Sequence, residues 1–548
     1  MASESTSAPA APSKGGQWLV LIAALLGWLF DGLEMGLFPL VARPALGDLL
    51  QTKDKTILDT WIAVITAVFL IGAASGGVLF GWLGDRIGRV RAMTFSVLTY
   101  AIFSGACGLA NEAWQVALFR FLAALGMGGE WSLGVALVME VWPNRSRAWL
   151  AGLIGAAANF GYMIIALVAL VLAETIGDLA TLLVRMGVSE EIKNKLVAHS
   201  GWRLLMLFGA VPALLTVLIR LFVPESGRWQ QEKKSGATSH WETHDLLGVL
   251  VGAAMACWMI ALFTIDTHWA IRTGGGIAAF IVVALAYMHP IRRYLHRLSF
   301  ASGSMTMAQV RDNNGTIRRM LLGAALSGIA LLGTWGTQQQ APSWVSDLPN
   351  GNRPEARAMT QMAGAIGAVI GCVLAALAGG WFGRRKTYAF LCVASMLSIL
   401  ALFRLNTEFN TTLLIWAGVS GATTAAFYGW LPLYLPELFR TRVRATGQGF
   451  SFNFGRILAA IGVMQLPAIM RLMGGGFNVA CPTLSLIYIA GFILIWFAPE
   501  TRGLPLPDDL PEVKNMEPKP MPEDPFGSNG DAVSFDLREV PGIEKVPR

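Results

Sequence analysis

The stretch Gly81-Trp82-Leu83-Gly84-Asp85-Arg86-Ile87-Gly88-Arg89-Val90-Arg91 lies between two apolar runs, at 60–83 and 91–110. Each run is about 20 residues long, the length an α-helix needs to cross a hydrocarbon layer of ~30 Å. The segment between them has a different chemistry. Its glycines permit a tight turn at a membrane face. Asp85 can accept hydrogen bonds from a neighbouring helix N-terminus or an arginine. Arg86, Arg89 and Arg91 mark the turn as a basic loop. A short, charged, glycine-containing turn between two membrane-length runs is the connection of a helical hairpin in a bilayer.

The same alternation runs through most of the chain. Of its 548 residues, 54% are hydrophobic and 14% charged, and the mean hydropathy is +0.54. A soluble domain carries about 25% charged residues. Membrane-length runs are read at 17–41, 60–83, 91–110, 113–139, 148–173 and 202–222. A pair follows at 245–264 and 269–288, then six more at 320–345, 357–381, 387–404, 411–432, 445–469 and 478–498. The fold class expected is an all-α polytopic membrane protein of about fourteen spans. Its organisation is a short tail (1–16), a six-helix half (17–222), linkers carrying an inserted hairpin (223–319), a second six-helix half (320–498) and a Pro-rich, acidic tail (499–548). That tail lacks periodicity and is expected to be disordered. Basic residues concentrate in alternate loops, so the positive-inside rule places both termini in the cytoplasm. The net charge of +7 then reflects topology and not nucleic-acid binding. The N-terminus, MASESTSAPAAPSKGGQ, lacks the basic region of a secretory signal, so the first run is expected to stay as a span. Cys107, Cys257, Cys372, Cys392 and Cys481 show no metal-ligand spacing and read as small core residues. No metal, cofactor or nucleotide is expected: a G-x-x-x-x-G-K-[ST] loop is missing from the sequence.

Charges inside the spans carry the functional reading, because a charge at bilayer depth is costly and turns toward a partner or a polar path. Arg120 and Glu130 fall in one run, RFLAALGMGGEW, beside glycines that permit close helix approach. They lie about 15 Å apart along a helix, so each needs a partner on another span. Asp31 and Glu34, three apart, share a helix face; two such carboxylates repel and favour binding a proton. Asp31, Glu34 and Glu130 are the candidate proton carriers. Arg120 and Arg456 are candidate anion ligands, with Asn453 one turn from Arg456. Trp131 and Trp335 are candidate stacking surfaces, and Gln338 and Gln339 candidate hydrogen-bonding groups. The bland alternative is an ion-pair network that fixes helix packing.

The 81–91 stretch resembles the G-x-L-x-D-R-x-G-R-x-[KR] loop of the major facilitator superfamily, with Gly81, Asp85, Arg86, Gly88 and Arg89 as its gating residues. A degenerate echo, Gly383-Arg384-Arg385-Lys386, stands at the matching place of the second half, as expected of parallel repeats. Glu140 with Arg147, and Glu437 with Arg444, form a second echo of carboxylates before clustered arginines. Pro224-Glu225-Ser226-Gly227-Arg228-Trp229 and Pro499-Glu500-Thr501-Arg502-Gly503 look like the ends of the halves in sugar-porter-like members. Within the superfamily, FRFLAALGMGGEW, GWRLLMLFGAVPALL and Asp31-Gly32-Leu33-Glu34 are most similar to the sialate:proton symporter family of sialic-acid and monocarboxylate permeases. Trp335-Gly336-Thr337-Gln338-Gln339 resembles that family's H-G-T-Q-D stretch with both ionisable groups replaced.

The resemblance implies a plasma (inner) membrane secondary transporter, acting as a monomer by alternating access. It would move an organic anion such as a sialic acid, a sugar acid or another carboxylate together with protons. Transport of a neutral sugar or an aromatic acid, and a nutrient sensor without flux, are the alternatives. A drug:proton antiporter lacks support because 152–170 contains no proline. An enzyme is not expected.

Overall fold

Backbone groups in hydrocarbon must be satisfied within their own segment, so apolar runs of this length fold as helices. The computed structural model describes residues 14–142, 146–211, 244, 246–265, 268–301, 307–439, 441–504 and 506–507. The side chains of Asp85, Glu140 and Arg444 lie outside the described set, as do the last residues of span six, part of the 266–268 turn and the tail beyond 507. All regular structure among the described residues is helical. Ten described helices are long and apolar enough to cross a membrane.

The first half comprises α1 (Lys14–Leu50), α2 (Lys55–Ile87), α3 (Arg89–Ala106), α4 (Ala113–Val141), α5 (Arg147–Arg185) and α6 (Glu190–Phe208). The inserted pair is α7 (Leu246–Thr264) and α8 (Trp269–Ala301). The second half contains α9 (Met307–Trp335), α10 (Pro354–Phe382), α11 (Arg384–Leu405), α12 (Thr411–Thr424), α13 (Phe427–Tyr434), α14 (Thr441–Met473), α15 (Phe477–Ser485) and α16 (Ile487–Leu494). Three expected single spans are therefore broken. The 411–432 run divides after Thr424, and the 478–498 run divides after Ser485. The 320–345 run breaks after Trp335 into a turn of 3-10 helix, Gln338–Gln340, and a short helix Ala341–Val345.

The longest described helix far outruns the bilayer. α5 has 39 residues, about 58 Å at 1.5 Å per residue. Its last turns and the start of α6 form an exposed helical extension. α6 is broken where His199, Ser200 and Gly201 all take positive φ (49°, 64° and 64°).

The charged turn is shorter than a loop. α2 ends at Ile87, Gly88 takes φ 114° and ψ 149°, and α3 begins at Arg89. In the second half α10 ends at Phe382, Gly383 takes φ 100° and ψ 158°, and α11 begins at Arg384. The Gly-Arg echo is thus one backbone event used twice: a single glycine, in a region open essentially to glycine alone, reverses the chain at the same face.

The halves meet along two seams, α2 against α14 and α5 against α10. The inserted hairpin covers the first seam. Tyr287 of α8 shares a 2.6 Å hydroxyl hydrogen bond with Ser75 of α2, and Phe280 lies 5.7 Å from Phe454 of α14. Leu250, Trp258, Ile277 and Ile281 stay exposed on its outer side, as lipid-facing residues would.

A side chain at either reversal glycine meets the same backbone penalty. Gly88→Ala and Gly383→Ala are each expected to destabilise the protein by about 1–3 kcal/mol, read as a lower melting temperature in detergent. An unchanged melting temperature for both would contradict the conformations described.

Candidate functional site

Charges buried in the first half sort into two groups. Arg120 of α4 donates from one terminal nitrogen to both carboxylate oxygens of Glu34, at 2.8 and 3.0 Å. Arg120 also stands 4.2 Å from the Phe69 ring and 5.1 Å from the Phe38 ring. Arg120 and Glu34 are almost wholly buried, so the ion pair and the two aromatic faces replace water around the guanidinium. Asp31, three residues earlier on α1, goes elsewhere. It lines a cavity between the halves, with Glu130 and Arg456 as its nearest charged neighbours. Sequence spacing put Asp31 and Glu34 on one face; the structure divides them between two sites.

Glu130 reaches toward α1 through the gap left by Gly27, where any side chain would collide with its carboxylate. Both Glu130 oxygens and Asp31 Oδ1 lack a hydrogen-bond donor. Two buried carboxylates so placed satisfy each other only by sharing a proton. Arg456 of α14 donates to Asn453 Oδ1 at 2.7 Å and lies 5.0 Å from the Phe452 ring. No carboxylate comes within 4 Å of Arg456 among the described residues. Its guanidinium faces the cavity without an ion-pair partner.

The cavity is partly open, and the empty space in and around it, open solvent included, is about 970 Å3. Its walls come from both halves and are mostly aromatic and aliphatic, with Trp28, Trp131, Tyr162, Trp335, Tyr428 and Phe452 as the large rings. Asp31 and Arg456 are the charged residues that line it. Trp335 and Gln339 face it directly. Gln338 also lines it, but is tied to α12, donating to Ala417 O at 3.3 Å and accepting from the Ser420 hydroxyl. Ring pairs that cross between the halves flank it. Trp131 of α4 lies on Phe452 at 3.8 Å and 8°. Trp335 lies 5.8 Å from Phe69 of α2.

Ion pairs join the halves beyond these rings. At the face carrying the Gly88 and Gly383 turns, Arg384 makes two hydrogen bonds to Glu437, at 2.7 and 3.0 Å. Arg147 of the first half reaches Glu437 at 3.7 Å, and the Thr501 hydroxyl donates to it at 2.6 Å. At the opposite face Arg43 of α1 bridges Asp347 of the second half and Asp59 of α2, both at 2.9 Å. The halves are therefore in contact at both ends. Sequence reasoning missed Arg43, Asp59 and Asp347, because at the edge of a span such residues look like ordinary loop charges. It also missed Tyr162 and Tyr428, which have no signal to separate them from packing aromatics. Of the expected gating residues, Gly88 makes the turn, Arg86 stands 5.1 Å from the Trp82 ring, and Arg147 and Glu437 meet. Arg89 is half-buried beside the turn, and Gly81 faces open space.

Residues 499–502, expected to open the tail, belong to the folded body. Glu500 accepts from the backbone N–H of Arg384 at 2.9 Å and of Arg385 at 3.1 Å, capping the α11 N-terminus. It also accepts from Arg502 N at 3.1 Å. Partial burial works against its ionised form, but these N–H donors outweigh it and hold the carboxyl below the usual carboxylate range.

A helical bundle with paired charges, a cavity between two halves and a closure at each face defines a multi-pass transporter of the major facilitator type. The chain belongs to the sugar (and other) transporter family, whose pattern matches residues 20–248 and 415–508. It is 25% identical to the cis,cis-muconate transport protein of Acinetobacter baylyi, over 84% of this chain and 88% of that one. It is 26% identical to the gentisate transporter of Corynebacterium glutamicum, over 72% and 89%. The sialic acid transporter NanX of Escherichia coli is 26% identical over only 39% of this chain and 45% of its own. The fold matches that of the proton:xylose symporter XylE, with a TM-score of 0.63 and 17% identity, over 90% of this chain and 98% of that one.

The Glu500 cap gives a signed pH dependence. Because its carboxyl sits below the range of an unfolded chain, its stabilising effect is fully present above about pH 4.3. The effect is lost as pH falls through the folded value. Glu500→Gln is expected to lower the melting temperature near neutral pH and to narrow the gap to wild type in acid. A gap that stays constant from neutral pH into acid would contradict the cap.

Proposed function

We propose that the protein is a proton-coupled symporter of an organic anion, a carboxylate carried on a flat, largely apolar body. The observation that carries this reading is Arg456, a buried guanidinium without an ion-pair partner, facing a cavity walled by aromatic rings. A carboxylate would occupy the open donors of Arg456, and its body would lie among Trp28, Trp335, Tyr162 and Tyr428. The relatives named for muconate and gentisate transport support this class over a sialic acid.

Asp31 and Glu130 are the proposed proton carriers. When Asp31 is ionised it competes with the substrate for the field of Arg456. A proton on Asp31 removes that competitor, so proton and anion load together. Glu34 keeps Arg120 neutralised in either state, which makes that pair a fixed element of the first half more than a carrier. The two faces would open alternately: the Arg147–Glu437–Arg384 contacts release on one side, the Arg43–Asp347 contact on the other. The basic turns favour a cytoplasmic position for the first of these faces and for both termini. The arrangement favoured is twelve core helices in a plasma-membrane monomer, with α7 and α8 as a spanning hairpin beside the α2–α14 seam.

Uptake into proteoliposomes with an inward proton gradient tests the reading. Labelled cis,cis-muconate, gentisate, N-acetylneuraminate and xylose form the panel. Gradient-driven accumulation of muconate or gentisate is expected. Arg456→Gln should reduce it by about 10- to 150-fold, the loss of one charged hydrogen-bonded contact. Asp31→Asn should abolish accumulation and preserve counterflow, and Glu130→Gln should weaken accumulation. Movement of xylose alone would overturn the anion reading, and absence of counterflow for every compound would favour a sensor.

A further inference from the structure

A second buried arginine is less well accommodated than Arg456. Arg357 lies in the first turn of α10, in the second half, and is 8% exposed. Among the described residues it makes no hydrogen bond, ion pair or ring contact, and its Nε is buried without an acceptor. The charges nearest to it are Arg43, itself held by Asp59 and Asp347, and Glu355. Glu355 does not come within ion-pair distance. Every other buried arginine discussed above has a carboxylate or an amide oxygen.

Arg357 faces its own pocket, separate from the central cavity. This pocket is small and partly open, with about 350 Å3 of empty space that includes open solvent. Its walls are apolar and come from α1 (Val41, Pro44), α5 (Ala169, Ala173) and α6 (Trp202). It opens past Ser200, which is exposed. The break in α6 shapes this mouth, since Ser200 takes a positive φ there. Trp202 is fixed by donating to Asp48 at 3.0 Å. A buried cation in a small apolar pocket needs an anion that the described residues do not supply.

We propose that Arg357 is the anion-binding group of a second site, at the rim opposite the Gly88 and Gly383 turns. Its ligand is a carboxylate or phosphate group borne on an apolar body. That chemistry fits both a carboxylate cargo arriving from outside and the headgroup of an anionic lipid. The site is independent of Arg456, so it stands or falls apart from the central-cavity reading.

Thermal unfolding of the purified full-length protein tests it, with benzoate and inorganic phosphate as probes. The measurements use an Arg456→Gln background, which removes the central anion site. Benzoate is expected to raise the melting temperature by a few degrees at saturation. The rise should disappear with Arg357→Gln and persist with Arg357→Lys. Ala173→Leu, which fills the pocket and keeps the arginine, should also abolish it. Without any anion, Arg357→Gln should melt no lower than its parent, since it removes an unpaired buried charge. Native mass spectrometry from bilayers containing phosphatidylglycerol separates the sources. Lipid retained by the wild type and lost in Arg357→Gln, with no benzoate response, assigns the site to a headgroup. Equal responses to both probes and equal lipid retention in the presence and absence of Arg357 would overturn the proposal. A benzoate response lost with Arg456→Gln alone, together with lipid retention that does not depend on Arg357, would overturn it as well.

Discussion

A charge inside a membrane protein has neither water nor lipid to solvate it, so the protein must bring it a partner. Around Arg120 that partner is Glu34 at 2.8 Å, backed by the faces of Phe69 and Phe38. Removing one member of such a pair costs about 3–5 kcal/mol, because the other is left buried and uncompensated. The pair therefore fixes α1 against α4, and with them the inner wall of the first half. Once Arg120 and Glu34 neutralise each other, the charges that remain at the centre are Asp31, Glu130 and Arg456. Asp31 and Glu130 keep carboxylate oxygens without a donor, and Arg456 has no carboxylate within 4 Å among the described residues. On the proposed reading, the division between paired and unpaired charge separates scaffold from working site.

The two halves solve one closure problem at the same face with different residues. The first-half turn carries Asp85 and Arg86, whereas the second half has Gly380 and Trp381 at the matching places. There the carboxylates come from elsewhere. Glu437 holds the Arg384 side chain, and Glu500 caps the helix that Arg384 begins. Both come from segments that follow α11 in the chain, so the second-half turn is bound to its own half. Through Arg147 the same Glu437 also touches the first half. One buried carboxylate thus belongs to a permanent bond within a half and to a contact between halves. Such a residue can release its distant arginine without being left unpaired.

Much of this architecture was legible because hydrocarbon leaves a chain few options. Apolar runs of span length are helices, and the Gly88 and Gly383 turns echo one another in letters as they do in φ. Partners were less legible. Arg120 had to find a carboxylate on another span, but nothing local says that it is Glu34, 86 positions earlier. Asp31 and Glu34 share a face by spacing, yet neighbouring parts of one helix face meet different helices, α4 in one case and the cavity in the other. The breaks after Trp335, Thr424 and Ser485 were also hidden, since an apolar run reads the same whether its helix is continuous or not. The cavity aromatics show the limit clearly. Tyr162 and Tyr428 differ from packing tyrosines only in what stands opposite them, and that is a property of the assembled halves.

Counting charge at the centre sharpens the proposed coupling. With Asp31 and Glu130 both ionised, the group including Arg456 carries one net negative charge, and a carboxylate entering beside it would make two. One proton shared between Asp31 and Glu130 makes the empty site neutral and supplies the hydrogen bond that their oxygens lack. An anion can then reach Arg456, but the loaded site is left with one negative charge in a low-dielectric cavity. A second proton, on the remaining carboxylate, restores neutrality. On this reading the site moves between faces at low cost when it is empty with one proton or loaded with two. A loaded site with one proton is held back by its own charge, which ties movement of the anion to movement of protons without any dedicated latch.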